Sequence, residues 1–185
     1  MSTVSQTPAR PAIGSMGSRG RFAIIAGVVA GVVALAIGSN WGGVAYLARN
    51  AHPHGPDMAL FASLSPVIKV HLATALAALI LGGVLMSRRK GRAFHRIAGW
   101  VWVTLVMVTA GSTLFITSLN HGHWSVLHLL TGWVLLILPL GVMWAKRHNV
   151  ARHRRTMMGL FYGGFAINAV VAFIPGRALW MMFFG

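Results

Sequence analysis

The chain has 185 residues, of which 56% are hydrophobic and 9% charged, whereas about a quarter of the residues of a soluble domain are charged. A soluble core cannot bury that much apolar surface. The formal charge of +15 comes from basic residues in short loops, and the sequence has no recognisable nucleic-acid-binding motif. The charge therefore indicates anionic lipid headgroups rather than nucleic acid as the partner. The absence of cysteine and the presence of a single acid, Asp57, exclude disulfides, thiolate chemistry and paired-carboxylate catalysis.

Several apolar segments are long enough to cross a membrane, because a spanning helix needs about 20 apolar residues. The sequence therefore predicts an all-α, polytopic membrane bundle with five transmembrane helices. These helices are predicted over residues 22–47, 66–86, 97–119, 124–145 and 156–175.

The segments beside these helices complete the domain organisation. Residues 1–21 are rich in Ser, Pro, Gly and Arg, which predicts a disordered basic tail. A short surface helix is predicted over residues 58–64, because Ser65-Pro66 favours a new helix start. The four-helix core then lies within residues 58–177, and residues 178–185 form a short outer tail.

The basic residues predict how the chain is oriented in the membrane. Thirteen of the sixteen Lys and Arg residues fall within residues 10–21, 88–96 and 146–155. Because cytoplasmic loops retain Lys and Arg, the N-terminus is predicted inside and the C-terminus outside. Alternatively, residues 22–36 are a cleaved signal peptide, which would leave four helices with both ends outside. The apolar character that continues to residue 47 favours the uncleaved span.

Because the chain has one acid and no thiol, the nine histidines are the candidate functional side chains. His71 and His128 are predicted near the outer ends of their helices, and His95 and His153 near the inner ends, roughly 20–25 Å away. Two histidines at one depth on non-adjacent helices of a four-helix bundle are what axial ligation of a b-type haem requires. Small or flexible residues one turn further on leave room for a porphyrin edge: Ala75, Gly99, Gly132 and Met157.

Three basic residues accompany these histidines. Lys69 is a candidate counter-charge for a haem propionate, or else a snorkelling side chain without a ligand. Arg96 and Arg154 directly follow His95 and His153 and complete the candidate cofactor site. In the alternative interpretation, the His-Arg pairs bind lipid headgroups or are only solvated, and the outer histidines bond to each other or to water.

The predicted outer loops contain a second set of chemistry-bearing residues. These are His52 and His54 with Asp57 in one loop, and His121 and His123 in the other. Imidazole and carboxylate ligands suit zinc or copper, so these residues form a candidate metal site if the loops meet. Short His-x-His pairs also arise by chance.

Tryptophan and asparagine positions give further expectations about packing. Tryptophans near helix ends predict interfacial belts, and Trp100 and Trp102 are assigned to the inner belt. Trp133 lies deeper in its segment and is predicted in the core. Asn168, in the middle of the fifth segment, is predicted to form an interhelical hydrogen bond.

Two motifs resemble those of a known family. The run Gly91-Arg-Ala-Phe-His95-Arg96-Ile-Ala-Gly99-Trp, followed later by His153-Arg154-Arg155-Thr-Met157-Met158, resembles an uncharacterised family of bacterial predicted membrane proteins. That family has a His-Arg-x-x-Gly and a His-Arg-x-x-Met motif at the starts of two membrane helices. The resemblance covers residues 66–177, implies a multi-pass protein of the bacterial inner membrane, and brings no established activity.

More distantly, the order of the four helix histidines resembles the two-haem transmembrane b-type cytochromes, which include ascorbate-dependent ferric reductases. This resemblance pairs His71 with His128 and His95 with His153. It implies haem b as the cofactor. As an electron carrier the protein would have a redox partner or a quinone as a possible partner.

The sequence therefore favours a b-type haem electron carrier with bis-histidine ligation. The alternative is a non-enzymatic membrane component whose His-Arg motifs bind lipid headgroups or a partner subunit. A small-molecule transporter is a third hypothesis, disfavoured because the helices contain no carboxylate and show no evident inverted repeat. The sequence assigns no catalytic residue and leaves open whether the protein is an enzyme.

Overall fold

The computed structural model describes residues 40–116 and 126–185, together with seven positions between 27 and 38. Every regular element within these residues is helical, so the all-α prediction is confirmed for the described part of the chain. The predicted tail over residues 1–21 lies outside the described residues, as does most of the alternative signal peptide over residues 22–36.

The first predicted helix is interrupted at Gly38. The described positions between Gly27 and Ile37 are helical, and Gly38 then adopts the left-handed conformation with φ of 60°. Glycine at such a position ends a helix without a Cβ clash. A new helix, α1, begins at Trp41 and covers Trp41–Arg49. Among the described residues, the helix predicted over residues 22–47 is therefore divided at Gly38.

Local capping signals define the start of the next two helices. Helix α2 covers Met58–Ser63, and Oδ1 of Asp57 accepts hydrogen bonds from the Ala59 and Leu60 amides at 2.9 Å each. Helix α3 covers Pro66–Ser87, with Ser65 as its N-cap. A short helix before a break at Pro66 is thus confirmed, and it ends at Ser63, one residue before the predicted end. Asp57, the only acid of the chain, has a capping role.

Helices α4 and α5 are the next two long elements. Helix α4 covers Ala93–Thr113 and α5 covers Val126–Lys146. Helix α4 begins before the predicted residue 97, because a helix can extend into the headgroup region where an arginine in its first turn is solvated. Within the described residues, α3, α4 and α5 are the helices that are long and apolar enough to cross a membrane.

The last predicted span consists of three consecutive helical elements. Helix α6 covers Val150–Gly159, a π-helical segment covers Leu160–Ala166, and helix α7 covers Ile167–Ala172. Nδ2 of Asn168 donates to the carbonyl of Gly164 at 2.7 Å. This bond stays within one helical run, so the expectation of an interhelical bond is wrong. A final helix, α8, covers Ala178–Phe184 within the segment expected to be a short tail.

The long helices form a four-membered bundle. Helix α3 packs on α4, α4 on α5 and α5 on α6, and the π segment contacts both α3 and α5, which closes the ring. Helices α3 and α5 are consequently diagonal to each other, as are α4 and the run from α6 to α7. The two short helices α2 and α8 contact one another beside the bundle.

Aromatic side chains fill the centre of the bundle around a glycine. Nε1 of Trp102 donates to the Ala78 carbonyl at 2.9 Å, and its ring lies 6.1 Å from that of Phe165. Gly82 is so close to Phe161 and Trp102 that a Cβ there would lie 2.6 Å and 2.8 Å from their side-chain atoms. Because Gly82 leaves this space, Trp102 enters the core and is only 4% exposed.

Two tryptophan expectations are therefore wrong. Trp102, assigned to an interfacial belt, is one of the core residues, and Trp133, assigned to the core, is 38% exposed. Trp102 is buried because Gly82 on the facing helix leaves space for its ring. The sequence around Trp102 does not show this, because Gly82 is distant from it along the chain.

Candidate functional site

His71 is held by the end of α4. Its Nδ1 lies 3.1 Å from the Thr109 carbonyl, 3.1 Å from Oγ of Ser112 and 3.3 Å from Oγ1 of Thr113. A carbonyl oxygen only accepts hydrogen bonds, so the neutral ring carries its proton on Nδ1 and donates it to Thr109. Nε2 then has a lone pair that can accept a proton or bind a metal. We call the end of the bundle where α3 begins and α4 ends the His71 end.

Hydroxyl groups surround this histidine. The Thr109 carbonyl also accepts from Ser112 at 2.8 Å and from Thr113 at 2.9 Å. Oγ1 of Thr109 donates to Oγ1 of Thr74 at 2.9 Å, which links α4 to α3. These residues were not predicted from the sequence, although the hydroxyl side chains grouped near the end of an apolar helix could have indicated them.

His128 lies on α5, diagonally across the bundle from His71, and is only 7% exposed. Thr131, one turn further, is 6% exposed. Together with Thr109, these are the buried polar side chains of the described chain, and all three lie towards the His71 end. A Cβ built on Gly132 would meet no atom within 4 Å. The middle of the bundle is apolar and aromatic by contrast.

His95 and His153 lie at the opposite end, where α4 and α6 begin; we call it the His95 end. Nδ1 of His153 donates to the Gly141 carbonyl on α5 at 2.9 Å. The methyl group of Met157 packs on the same Gly141. The His and Met of the second motif, four residues apart on one helix face, therefore both contact Gly141. Gly141 was not predicted from the sequence.

The His95 side chain differs from that of His153 in its contacts. Its Nδ1 is buried and has no hydrogen-bond partner among the described residues. It is close enough to His153 and Lys90 for electrostatic repulsion between the charged forms. Arg96 and Arg154 are both exposed. The structure thus brings His95 and His153 to one end of the bundle, with basic side chains around them.

Lys69 contacts α2. Its Nζ donates to the Ala62 carbonyl at 2.7 Å and lies 5.9 Å from the centre of the Phe61 ring. A cation at the C-terminal end of a helix stabilises the last carbonyls. Lys69 therefore joins α2 to α3, and this contact accounts for a lysine near the start of a membrane helix.

The loop before α2 caps the C-terminal end of α8. The amide of His52 donates to the Phe184 carbonyl at 3.1 Å, that of His54 to Phe183 at 3.0 Å, and that of Asp57 to Met182 at 2.9 Å. The last carbonyls of a helix have no partner within it. These three bonds supply such partners from a distant part of the chain.

The candidate metal residues have other contacts where the structure describes them. Nδ1 of His54 lies 2.6 Å from the Gly55 carbonyl and Nε2 lies 3.1 Å from the Gly185 carbonyl, while Asp57 caps α2. Among the described residues no three histidine or acidic side chains come together as a metal site. His121 and His123 lie outside the described residues, so the four-histidine metal site stays a prediction.

Comparison with known protein families gives one match. Residues 68–184 match the family described as "Predicted membrane protein (DUF2306)". The comparisons with curated proteins and with solved structures return no match. The matched residues are more than half of the chain and include α4, α5 and both His-Arg motifs. This chain therefore belongs to the DUF2306 family of predicted membrane proteins.

Proposed function

We propose that this membrane protein is an electron carrier that holds a b-type haem at the His71 end, between His71 and His128. The observation that carries the proposal is the Thr109 carbonyl, which fixes the His71 proton on Nδ1. Axial histidine ligands bind iron through one ring nitrogen while the other donates to such an acceptor. His128 stands on the diagonal helix, buried towards the same end.

The surrounding residues fit a haem at this end of the bundle. Gly132 has open space where a Cβ would be, and Ala75 on α3 is small. The middle of the bundle is filled by Trp102 and Phe161, which excludes water from the apolar side of the site. A bound haem would supply one-electron transfer, and the Thr109 carbonyl would make the His71 imidazole a more basic ligand.

The proposal is tested by the spectrum of the full chain, purified in detergent from a host with adequate haem supply. We expect a Soret band and a dithionite-reduced alpha band of six-coordinate b-type haem. A colourless protein that elutes as a single folded species from the same host would overturn the haem proposal.

A second candidate function is supported at the His95 end. There His153 and Met157 both contact Gly141, which gives this motif a role in helix packing, while Arg96 and Arg154 remain exposed. Arg152 lies over the Trp144 ring at 4.6 Å, an arrangement that suits a membrane interface. These contacts favour headgroup or partner binding at that end, and a colourless protein would make it the leading function.

We further propose a topology of five spans in the bacterial inner membrane, with the N-terminus inside and the C-terminus outside. The support is the charge of the loops, since the two segments between predicted spans that carry most Lys and Arg lie at residues 88–96 and 146–155. In this orientation the His71 end faces outwards and the His95 end faces the cytoplasm.

Reporter fusions check this topology. A reporter that is inactive in the periplasm should be active when fused after Lys90 or Lys146 and inactive when fused after His54 or Gly122. The reason is the retention of basic loops in the cytoplasm. Activity in the reverse pattern at either pair would invert the sidedness of every histidine.

A further inference from the structure

A groove lies between α4 and α5 on the surface of the bundle and has a volume of about 460 Å³. Helix α4 contributes Trp100, Val103 and Met107, and α5 contributes Pro139 and Val142 among other apolar residues. The groove ends at Lys146. At 1.5 Å per residue, the stretch from Pro139 to Lys146 gives it a length of about 10 Å.

The end of the groove at Lys146, which we call its mouth, is basic. Nζ of Lys146 lies 5.9 Å from the centre of the Trp100 ring, which holds the ammonium group over the groove. Arg96 precedes Trp100 by one helical turn, and residues four apart share a helix face. Arg96 is exposed and therefore stands on the α4 side of the same mouth.

The chain itself has no acid to neutralise this mouth. Its only carboxylate side chain, Asp57, caps α2 beside the start of α3, at the opposite end of the bundle. The exposed positive charges of Lys146 and Arg96 are therefore free of any acidic side chain of this chain and are complementary to an anion from outside it. A membrane supplies an anion attached to an apolar chain in the form of an anionic phospholipid.

We propose that the groove between α4 and α5 binds one anionic phospholipid. An acyl chain lies along Val103, Met107 and Val142, and the phosphate lies between Lys146 and Arg96. Each of these charges near a lipid phosphate contributes to retention, and the aromatic ring of Trp100 positions the ammonium group. The inference is independent of the haem proposal, because the groove lies outside the bundle and towards its other end.

The test is a titration of the purified full chain in detergent with two short-chain lipids, measured by native mass spectrometry. The lipids are dioctanoyl phosphatidylglycerol and dioctanoyl phosphatidylcholine, which have the same acyl chains and differ in net charge. We expect one phosphatidylglycerol to bind at least fivefold more tightly than phosphatidylcholine. Lys146→Gln should weaken phosphatidylglycerol binding about fivefold, equivalent to about 1 kcal/mol, and leave phosphatidylcholine unchanged.

Two further variants make the result specific to the groove. Lys90→Gln is the matched control, because Lys90 lies at the same end of the bundle but its Nζ donates to the Met86 carbonyl; its affinities should equal those of the wild type. Val142→Trp fills the groove and should weaken the binding of both lipids.

Equal binding of the two lipids, or equal losses of affinity for Lys146→Gln and Lys90→Gln, would overturn the proposal. A change of oligomeric mass in Val142→Trp without loss of lipid would assign the groove to a second copy of the chain instead.

Discussion

His71→Ala and His128→Ala are each expected to remove the whole six-coordinate haem spectrum, and not half of it. Both imidazoles are needed for six-coordinate ligation, because each occupies one face of the iron. The measurement is the dithionite-reduced minus oxidised difference spectrum, normalised to protein concentration.

The first control for these variants comes from the loop before α2. His52 contributes a backbone amide to the cap of α8, so His52→Ala should keep both that bond and the haem spectrum. His121, which the sequence predicts in a loop, is the second control, and His121→Ala should also keep the haem spectrum. Thermal unfolding of each variant shows whether lost colour reflects a lost ligand or a lost fold. Colour that survives both helix substitutions would mean that other side chains bind the haem.

Gly82→Ala is expected to destabilise the bundle far more than Gly83→Ala. A Cβ at Gly82 would lie 2.6 Å from Phe161 ring atoms and 2.8 Å from Nε1 of Trp102, whereas a Cβ at Gly83 would meet nothing within 4 Å. Overpacking of a core costs about 1–3 kcal/mol, which corresponds to about 2–12 °C in melting temperature for a chain of this size.

The two glycines are a matched pair, because both are interior residues of α3 and both substitutions change the same helix propensity. The apparent melting temperature in detergent, followed by intrinsic fluorescence, measures the difference. The Gly82→Ala variant also displaces Trp102 from its bond to Ala78, so its fluorescence should change in the folded state. Equal melting temperatures for the two variants would contradict the tight contact at the centre of the bundle.

Local signals explain which parts of the fold were predictable. Helix α3 was expected over residues 66–86 and covers Pro66–Ser87, because Ser65 and Pro66 mark a helix start within a few residues of sequence. The break at Gly38 was missed, since a glycine inside an apolar run is equally compatible with a continuous helix. The π segment over Leu160–Ala166 was missed for the same reason.

The candidate site was predictable only as far as the histidines themselves. Their order along the chain predicted which pair belongs to which end, and the structure places each pair on diagonal helices. The acceptor of His71, the Thr109 carbonyl, is a backbone group on another helix, and no side-chain pattern identifies it. Gly141 was missed likewise, because its role depends on contacts from His153 and Met157 across a helix interface.

The loop bonds to α8 connect the segment that matches the family to residues that precede it in the chain. The family match begins at residue 68, after the amides of His52, His54 and Asp57 that cap the last carbonyls of α8. A chain shortened to the matched residues would keep α8 but leave its final carbonyls without these donors.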